Sequence, residues 1–254
     1  MSWERFDEEP EGALRDAPPD VLTPIDPAAP VSGHRPAEPT DDAGRAHSDA
    51  PEHDWSAAAG HVFPALRPAG LHGASLSELD TAQLANEGMK KHALALVDPG
   101  PADLTTVYVL RESAFDVVIN ADHLLTWGIA PDVLRAAAMA NLRSWSAAAP
   151  WTEEHTGERR LLSSDTGEGA DAARILLQEV RDKIAGECGG PARVLVALPD
   201  RDLLVAGSLN PGDAAFAEQL AAFVGDVTDD GHEPIDRRLF ELVGDRNELV
   251  PFVA

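Results

Sequence analysis

The sequence has little cysteine, few aromatic residues and a shortage of positive charge. Its single cysteine, Cys188, excludes an internal disulfide and a cysteine-rich metal site. Cys188 follows Glu187, whose charge opposes a thiolate, so we expect an unreactive thiol. The chain also has no run of about 18 apolar residues, the length that a transmembrane helix needs. Its start, MSWERFDEEPEG, is acidic, unlike a signal peptide, and we therefore expect a cytoplasmic protein.

The charge balance narrows the choice of partners. The 254 residues include 44 acidic and 20 basic side chains, which gives a net charge of -24. Such a surface repels the phosphates of nucleic acids and anionic lipid headgroups, so we expect neither nucleic-acid nor membrane binding. The expected partner is an unidentified protein or a small ligand.

Residues 1–58 differ in composition from the rest of the chain. They contain 9 of the 20 prolines, and their 14 Asp and Glu against 4 Arg leave a charge of -10. A segment of this kind buries too little apolar surface to offset its ordering entropy, so we predict a disordered acidic tail. Trp3 and Phe6 are its exceptions and would suit a short docking motif. The spacings of the following histidines match no metal-ligand pattern: His34, His47, His53 and His61.

Residues 59–254 are predicted to form one α+β domain. Pairs of apolar runs joined by turn residues predict three β-hairpins: 106–110 with 115–119, 192–198 with 203–207, and 237–243 with 248–253. Pro251 should confine the last strand to a sheet edge. RRLLSS, residues 159–164, predicts a further strand. Since hairpins dominate, we expect a mixed, mainly antiparallel sheet with helices packed on it, and not a doubly wound fold.

Four segments predict helices. Asn120 and Gly128 are suited to cap a short helix at its two ends. Pro131 begins a longer one, in which Leu134, Ala138, Leu142 and Trp145 share a face. Amphipathic spacing predicts a helix over 172–185 that ends at Gly186, and another over 213–227.

The segment LLSSDTGEGADAARILLQEV has the glycine spacing of a dinucleotide-binding loop at Gly167 and Gly169. Three features oppose that interpretation. Asp165, Glu168 and Asp171 surround the glycines, where a pyrophosphate needs free amides. The preceding strand is short and polar, and the following apolar strand leads into a hairpin, not a crossover helix. We therefore expect no nucleotide cofactor, and we assign the carboxylates to stabilising a helix start.

Five blocks in the same order resemble the YtpQ-like family, bacterial proteins of unknown function. The blocks lie between Val62 and Phe252. They are HVFPALRP, the segment from VYVLRESAF to NLRSW, GEGADAARIL, LVALPDRDLLVA, and EPIDRRLFELVGDRNELVPF. Ala170 and Ala173 stand where the family has tyrosine and serine, so two hydroxyls are missing from its signature. The resemblance implies a fold and a bacterial cytoplasmic setting, and it implies no catalytic residues.

A helix over 172–185 and a strand over 192–198 have matching lengths of roughly 21 and 23 Å. A turn between them would return residues 199–202 to the helix start. Arg174 would lie unfavourably against the helix dipole there, so it should bind Asp200 or Asp202. One interpretation is a structural ion pair. The other is a ligand or partner site formed by Asp171, Arg174 and Asp202, with Arg201 at its rim.

The sequence predicts a non-catalytic binding or regulatory module. No serine lies in a Gly-x-Ser-x-Gly turn, and no nucleophile–base pair is evident. His123 is expected near a helix start, and His155 in an exposed loop. The alternative is a carboxylate-based, metal-assisted hydrolase, although no metal ligands can be assigned. Its candidate carboxylates are Asp165, Asp171, Asp200, Asp202 and Asp236.

Overall fold

The computed structural model describes residues 50–87, 93–112, 115–190 and 192–253. The predicted disordered tail lies mostly outside these ranges, as do Trp3, Phe6, His34 and His47. Residues 50–58 are described, and they pack on the domain. Helix α1, Trp55–Ala58, has Asp54 as its N-cap, and the carbonyl of Pro51 accepts a hydrogen bond from Trp127 at 2.9 Å. Residues 50–58, which the sequence analysis placed in the tail, are therefore structured and contact the domain.

Two sheets replace the single sheet that the sequence suggested. The first has the strand order β1-β4-β3-β2, and β5 also pairs with β4. All its pairs are antiparallel except β2 with β3, so the sheet is mixed. Its strands are β1 Val62–Arg67, β2 Ala74–Ser75, β3 Leu96–Pro99, β4 Thr105–Arg111 and β5 Asp116–Val118. The predicted hairpin over 106–119 is confirmed as β4 and β5.

The second sheet is antiparallel throughout, with the order β11-β10-β8-β9-β7-β6. Its strands are β6 Thr152–Thr156, β7 Arg159–Ser164, β8 Arg193–Asp200, β9 Leu203–Leu209, β10 Leu239–Val243 and β11 Glu248–Pro251. The other two predicted hairpins are confirmed as β8–β9 and β10–β11. Pro251 lies on the edge strand β11, as expected for a residue without a backbone donor.

Two helices, α3 and α4, match the helices predicted from the sequence. In α3, Ala121–Trp127, Asn120 and His123 form a capping box, and Gly128 ends the helix in the left-handed conformation. Helix α4, Pro131–Ala148, buries Leu134, Ala138 and Leu142 as predicted. A further helix, α2, spans Thr81–Glu87.

The predicted helix over 172–185 is broken. Residues Ala172–Leu176 form a 3-10 turn, Leu177 is extended with ψ 128°, and α5 then spans Gln178–Cys188. The turn is enclosed on all sides, with Ala172, Ala173 and Ile175 no more than 2% exposed. Tertiary packing therefore overrides the helical periodicity, and α5 ends at Cys188 instead of Gly186.

The two faces of the second sheet are covered differently. Its inner face, with Leu162, Val196 and Phe240, packs on α5 and on residues of α4 and β1. Among the described residues, its outer face is covered by one helix, α6, Ala214–Asp230, which buries Phe216, Leu220 and Val224 against the central strands β8 and β9. Within the described ranges, no helix is both long and apolar enough to span a bilayer.

Candidate functional site

Arg174 lies under the inner face of the second sheet and is 1% exposed. A guanidinium has five N–H donors, and all five positions bind neutral oxygens. Nε binds the Ser146 hydroxyl at 3.0 Å, and Nη2 binds the carbonyls of Ser146 and Ala149 at 2.9 and 3.4 Å. Nη1 binds the Ser164 hydroxyl at 2.7 Å and the Pro150 carbonyl at 3.2 Å. No donor remains for Asp200 or Asp202, so the predicted ion pair with those residues is wrong.

Apart from the Ser164 hydroxyl of β7, the oxygens around Arg174 belong to the end of α4. Ser146 is in the last turn of α4, and Ala149 and Pro150 follow it. A helix leaves its last carbonyls unpaired and negative, which favours a cation there. The guanidinium also stacks on Trp151, 3.9 Å from the ring centroid. Burial lowers the pKa of Arg174 to about 10, and the charge of Asp171 opposes that shift, so the side chain is cationic at neutral pH.

Asp171 is connected to Arg174 through one hydroxyl. Ser164 donates to Asp171 Oδ1 at 2.5 Å while it accepts from Arg174. The other oxygen, Oδ2, accepts from the backbone N–H and the hydroxyl of Thr166 at 3.2 and 2.7 Å. Asp171 is 0% exposed. A ligand therefore has no access to Asp171 or Arg174 in this conformation, and their arrangement joins three segments of the chain.

The loop over residues 166–172 uses its backbone N–H groups for hydrogen bonds within the protein. Besides the Thr166 amide, the Glu168 amide donates to the Thr166 hydroxyl, Gly169 donates to the Asp202 carboxylate, and Ala172 donates to the Arg201 carbonyl. A pyrophosphate cradle needs these amides free. Strands β7 and β8 run parallel, but β9 lies between them, whereas a dinucleotide fold places them side by side.

The backbone conformation of this loop favours glycine at positions 167 and 169. Gly167 and Gly169 have φ values of 70° and 76°, in the left-handed region that other residues rarely adopt. A Cβ on Gly169 would also lie 2.5 Å from the Arg201 guanidinium, whereas one on Gly167 would meet no atom within 4 Å.

Arg201 and Asp202 lie at the turn between β8 and β9. The amide contacts of Gly169 and Ala172 confirm the predicted proximity of this turn to residues 169–172. Arg201 Nη1 binds Glu233 at 2.8 Å and Asp116 at 3.1 Å, and its Nε lies 3.8 Å from Asp202. Burial raises the pKa of Asp202. These two residues are partly exposed, so of the four predicted site residues they are the ones that solvent reaches.

Asp200, the other expected partner of Arg174, is 9% exposed. It accepts hydrogen bonds from the backbone amides of Asp202 at 3.1 Å and Glu233 at 3.0 Å. Its carboxylate thus fastens the β8–β9 turn to the segment before β10.

Arg111, at the end of β4, was not singled out by its sequence context. Its guanidinium lies 4.1 Å from the centroid of the Phe63 ring and 5.8 Å from that of Trp145. Its Nε and Nη2 atoms are buried without a hydrogen-bond partner among the described residues, and burial lowers its pKa. Both atoms are sealed from solvent, so they offer a ligand no contact.

Two of the grooves beside α6 lie between this helix and strands of the second sheet. The larger, which we call the β10 groove, has a volume of about 770 Å³ and lies between α6 and the β10–β11 hairpin. Ala214, Ala217 and Ala221 form its helix wall, with Leu239 and Phe252 opposite. The smaller, the β7 groove, has a volume of about 490 Å³ and lies on the side of β6 and β7. No sequence motif marks either groove, because each arises from one helix covering a six-stranded sheet.

The charged groups around the β10 groove are largely paired within the chain. Arg193 binds Glu241 through Nε and Nη2 at 2.8 and 2.7 Å. Arg238 binds Asp236 at 2.7 Å and also Asp103 at 3.1 Å. Asp213 binds Arg159 at 2.5 and 2.6 Å. Within the described part of the chain, Glu218 is the lining charge with no ion-pair partner.

Cys188, His123 and His155 do not form a reactive group. Cys188 is 1% exposed, and burial, reinforced by Glu187, raises its pKa to about 11, which confirms the expected unreactive thiol. His123 is committed to the cap of α3, and burial lowers its pKa. His155 is exposed as predicted, although it lies on the edge strand β6 and not in a loop.

No group of three His, Cys, Asp or Glu side chains in the described ranges is arranged to hold a metal ion.

Comparisons of the chain with protein-family models, curated proteins and solved structures find no match. The resemblance to the YtpQ-like family accordingly stays a prediction from the sequence.

Proposed function

We propose that this chain is a non-catalytic binding module whose ligand or partner occupies the β10 groove. The observation that carries the proposal is an open apolar groove of about 770 Å³ beside a helix that covers only part of its sheet. Ligand sites commonly have volumes of roughly 300–1,000 Å³ and apolar walls with a few polar groups. The walls made by α6, Leu239 and Phe252 match that description.

The metal-assisted hydrolase finds no supporting observation. Its candidate carboxylates are largely engaged: Asp171 by Ser164 and Thr166, Asp200 by two amides, and Asp236 by Arg238. A general base needs an accessible carboxylate near a reacting group.

The predicted site of Asp171, Arg174, Arg201 and Asp202 differs from the β10 groove in accessibility. Asp171 and Arg174 are enclosed. Arg201 and Asp202 lie at a polar junction between the two sheets, where Arg201 binds Asp116 of β5. A role of Arg201 and Asp202 in binding stays a prediction, which the variants below separate from the groove. The expectation of no nucleic-acid or membrane partner rests on the charge of -24, and the cytoplasmic location stays a prediction.

The proposal is tested with Nile red, a neutral apolar dye that fluoresces in apolar sites. We expect saturable binding of one dye per chain. Ala217→Trp fills the β10 groove and should abolish binding, whereas Ala222→Trp adds the same side chain to an exposed position of α6 outside both grooves. Circular dichroism checks that both variants fold. Absence of saturable binding, or equal binding by the two variants, would overturn the proposal.

A further inference from the structure

The helix wall of the β10 groove is shaped for close approach. Ala214, Ala217 and Ala221 are spaced by three and four residues, so they lie on one side of α6. Their small side chains let another backbone come near, while Leu239 and Phe252 offer apolar contacts opposite. The stripe is about 11 Å long at 1.5 Å per residue, which corresponds to two turns of a docked helix.

A docked strand fits this place less well. The groove adjoins the edge strand β11, where Pro251 has no N–H to donate. The Phe252 amide is already bound to the Leu239 carbonyl at 2.8 Å. Strand addition depends on free main-chain groups along an edge, and these two positions supply no donor.

The groove charge that has no ion-pair partner among the described residues is negative. The other charged side chains that line the groove form ion pairs within the chain: Arg193 with Glu241, Arg238 with Asp236, and Asp213 with Arg159. Glu218 remains, on the exposed side of α6. The chain as a whole carries -24, so a second copy would be repelled and a cationic partner attracted.

We infer that the occupant of the β10 groove is a cationic amphipathic helix of a partner protein, an inference that rests on the proposed function. Its apolar side chains lie between the alanine stripe and the wall of Leu239 and Phe252. A lysine or arginine at its edge pairs with Glu218. Helix-in-groove recognition uses apolar anchors spaced by three and four residues, which is the spacing of the alanines.

The test uses two synthetic peptides of about 18 residues, roughly five helical turns. One combines leucine with lysine in an amphipathic helical pattern, and the other replaces every lysine by glutamate. Isothermal titration of the full chain should give saturable binding of the lysine peptide and none of the glutamate peptide. Ala217→Trp should weaken binding at least tenfold, and Ala222→Trp should leave it unchanged. Glu218→Lys should weaken it about fivefold, as expected for reversing one exposed charge.

Other outcomes decide against the inference. If the lysine peptide binds Ala217→Trp as tightly as the parent chain, it binds the acidic surface at large and the inference is wrong. Equal binding of the two peptides would also overturn it. If Nile red occupies the groove but the lysine peptide does not bind, the inference fails while the binding-module proposal stands. Loss of both signals would overturn both.

Discussion

The two faces of the six-stranded sheet differ in how completely they are filled. On the inner face, even the buried cation Arg174 has a partner for every donor, and its surroundings are 3-10 turn, helix end and strand. On the outer face, α6 covers the central strands and leaves a groove on each side. The charged group that the sequence marks most clearly as a site is therefore enclosed and fully hydrogen-bonded, whereas the binding surface that we propose is unfilled apolar space.

Arg174→Ala should give the largest loss of stability. Removal of the buried cation leaves the carbonyls at the end of α4 without a donor and the buried Asp171 carboxylate without its nearby positive charge, at a cost of roughly 3–5 kcal/mol. Urea unfolding measures the loss. Arg143→Ala is the control, since Arg143 lies in α4, whose end Arg174 contacts, but forms only an exposed ion pair with Glu179 at 2.7 Å; it should cost at most about 1 kcal/mol. Equal losses would show that the inner network is not the stabilising element.

Gly169→Ala should cost more than Gly167→Ala. Both place a Cβ on a left-handed residue, which costs about 1–2 kcal/mol, but only at Gly169 does the Cβ collide with Arg201. Combining Gly169→Ala with Arg201→Ala should remove the excess, as a double-mutant cycle of unfolding free energies would show. If the two glycine variants lose the same stability, the close approach of Arg201 is not a constraint.

Cys188 should make the domain less stable at high pH. Burial favours the neutral thiol and raises its pKa from 9.0 to about 11. This contribution is fully present below pH 9 and is lost as the pH rises toward 11. At pH 10 the loss should be about 1 kcal/mol, since one pKa unit corresponds to roughly 1.4 kcal/mol. Urea unfolding at pH 7 and pH 10 measures the unfolding free energy of the parent chain and of Cys188→Ala. An equal loss of unfolding free energy in both proteins would contradict the prediction.

Ala217→Trp should have the smallest effect on stability. The new ring enters open space on the outer face, so the unfolding free energy should change by less than about 0.5 kcal/mol. Thermal unfolding of Ala217→Trp, compared with that of Ala222→Trp, measures the change in stability. A loss of several kcal/mol would mean that the β10 groove is tightly packed and does not offer room for a partner.

Local sequence signals predicted much of the fold. The three hairpins, the capped helix α3 and the buried face of α4 all depend on residues close together in the chain, and each is confirmed. Strands β3 and β6 were missed for local reasons as well. The short β3 contains Asp98 and Pro99, and every residue of β6 is exposed, so neither shows an apolar alternation.

Tertiary contacts explain what the sequence failed to predict. The spacing over 172–185 indicates one helix, and nothing in the sequence marks the break at Leu177. Arg174 was expected to bind an acidic side chain, but its Nη2 binds the carbonyl end of α4, about 25 residues earlier in the chain. The grooves beside α6 depend on the width of the sheet relative to one helix, which no local pattern encodes.

The division between a structural inner face and a binding outer face is tested most directly by Nile red titration of two variants. Ala217→Trp fills the β10 groove, and Arg201→Ala alters the polar junction that contains the exposed part of the sequence-predicted site. We expect Ala217→Trp to abolish saturable binding and Arg201→Ala to retain the dissociation constant of the parent chain. Loss of binding in Arg201→Ala together with normal binding in Ala217→Trp would contradict it.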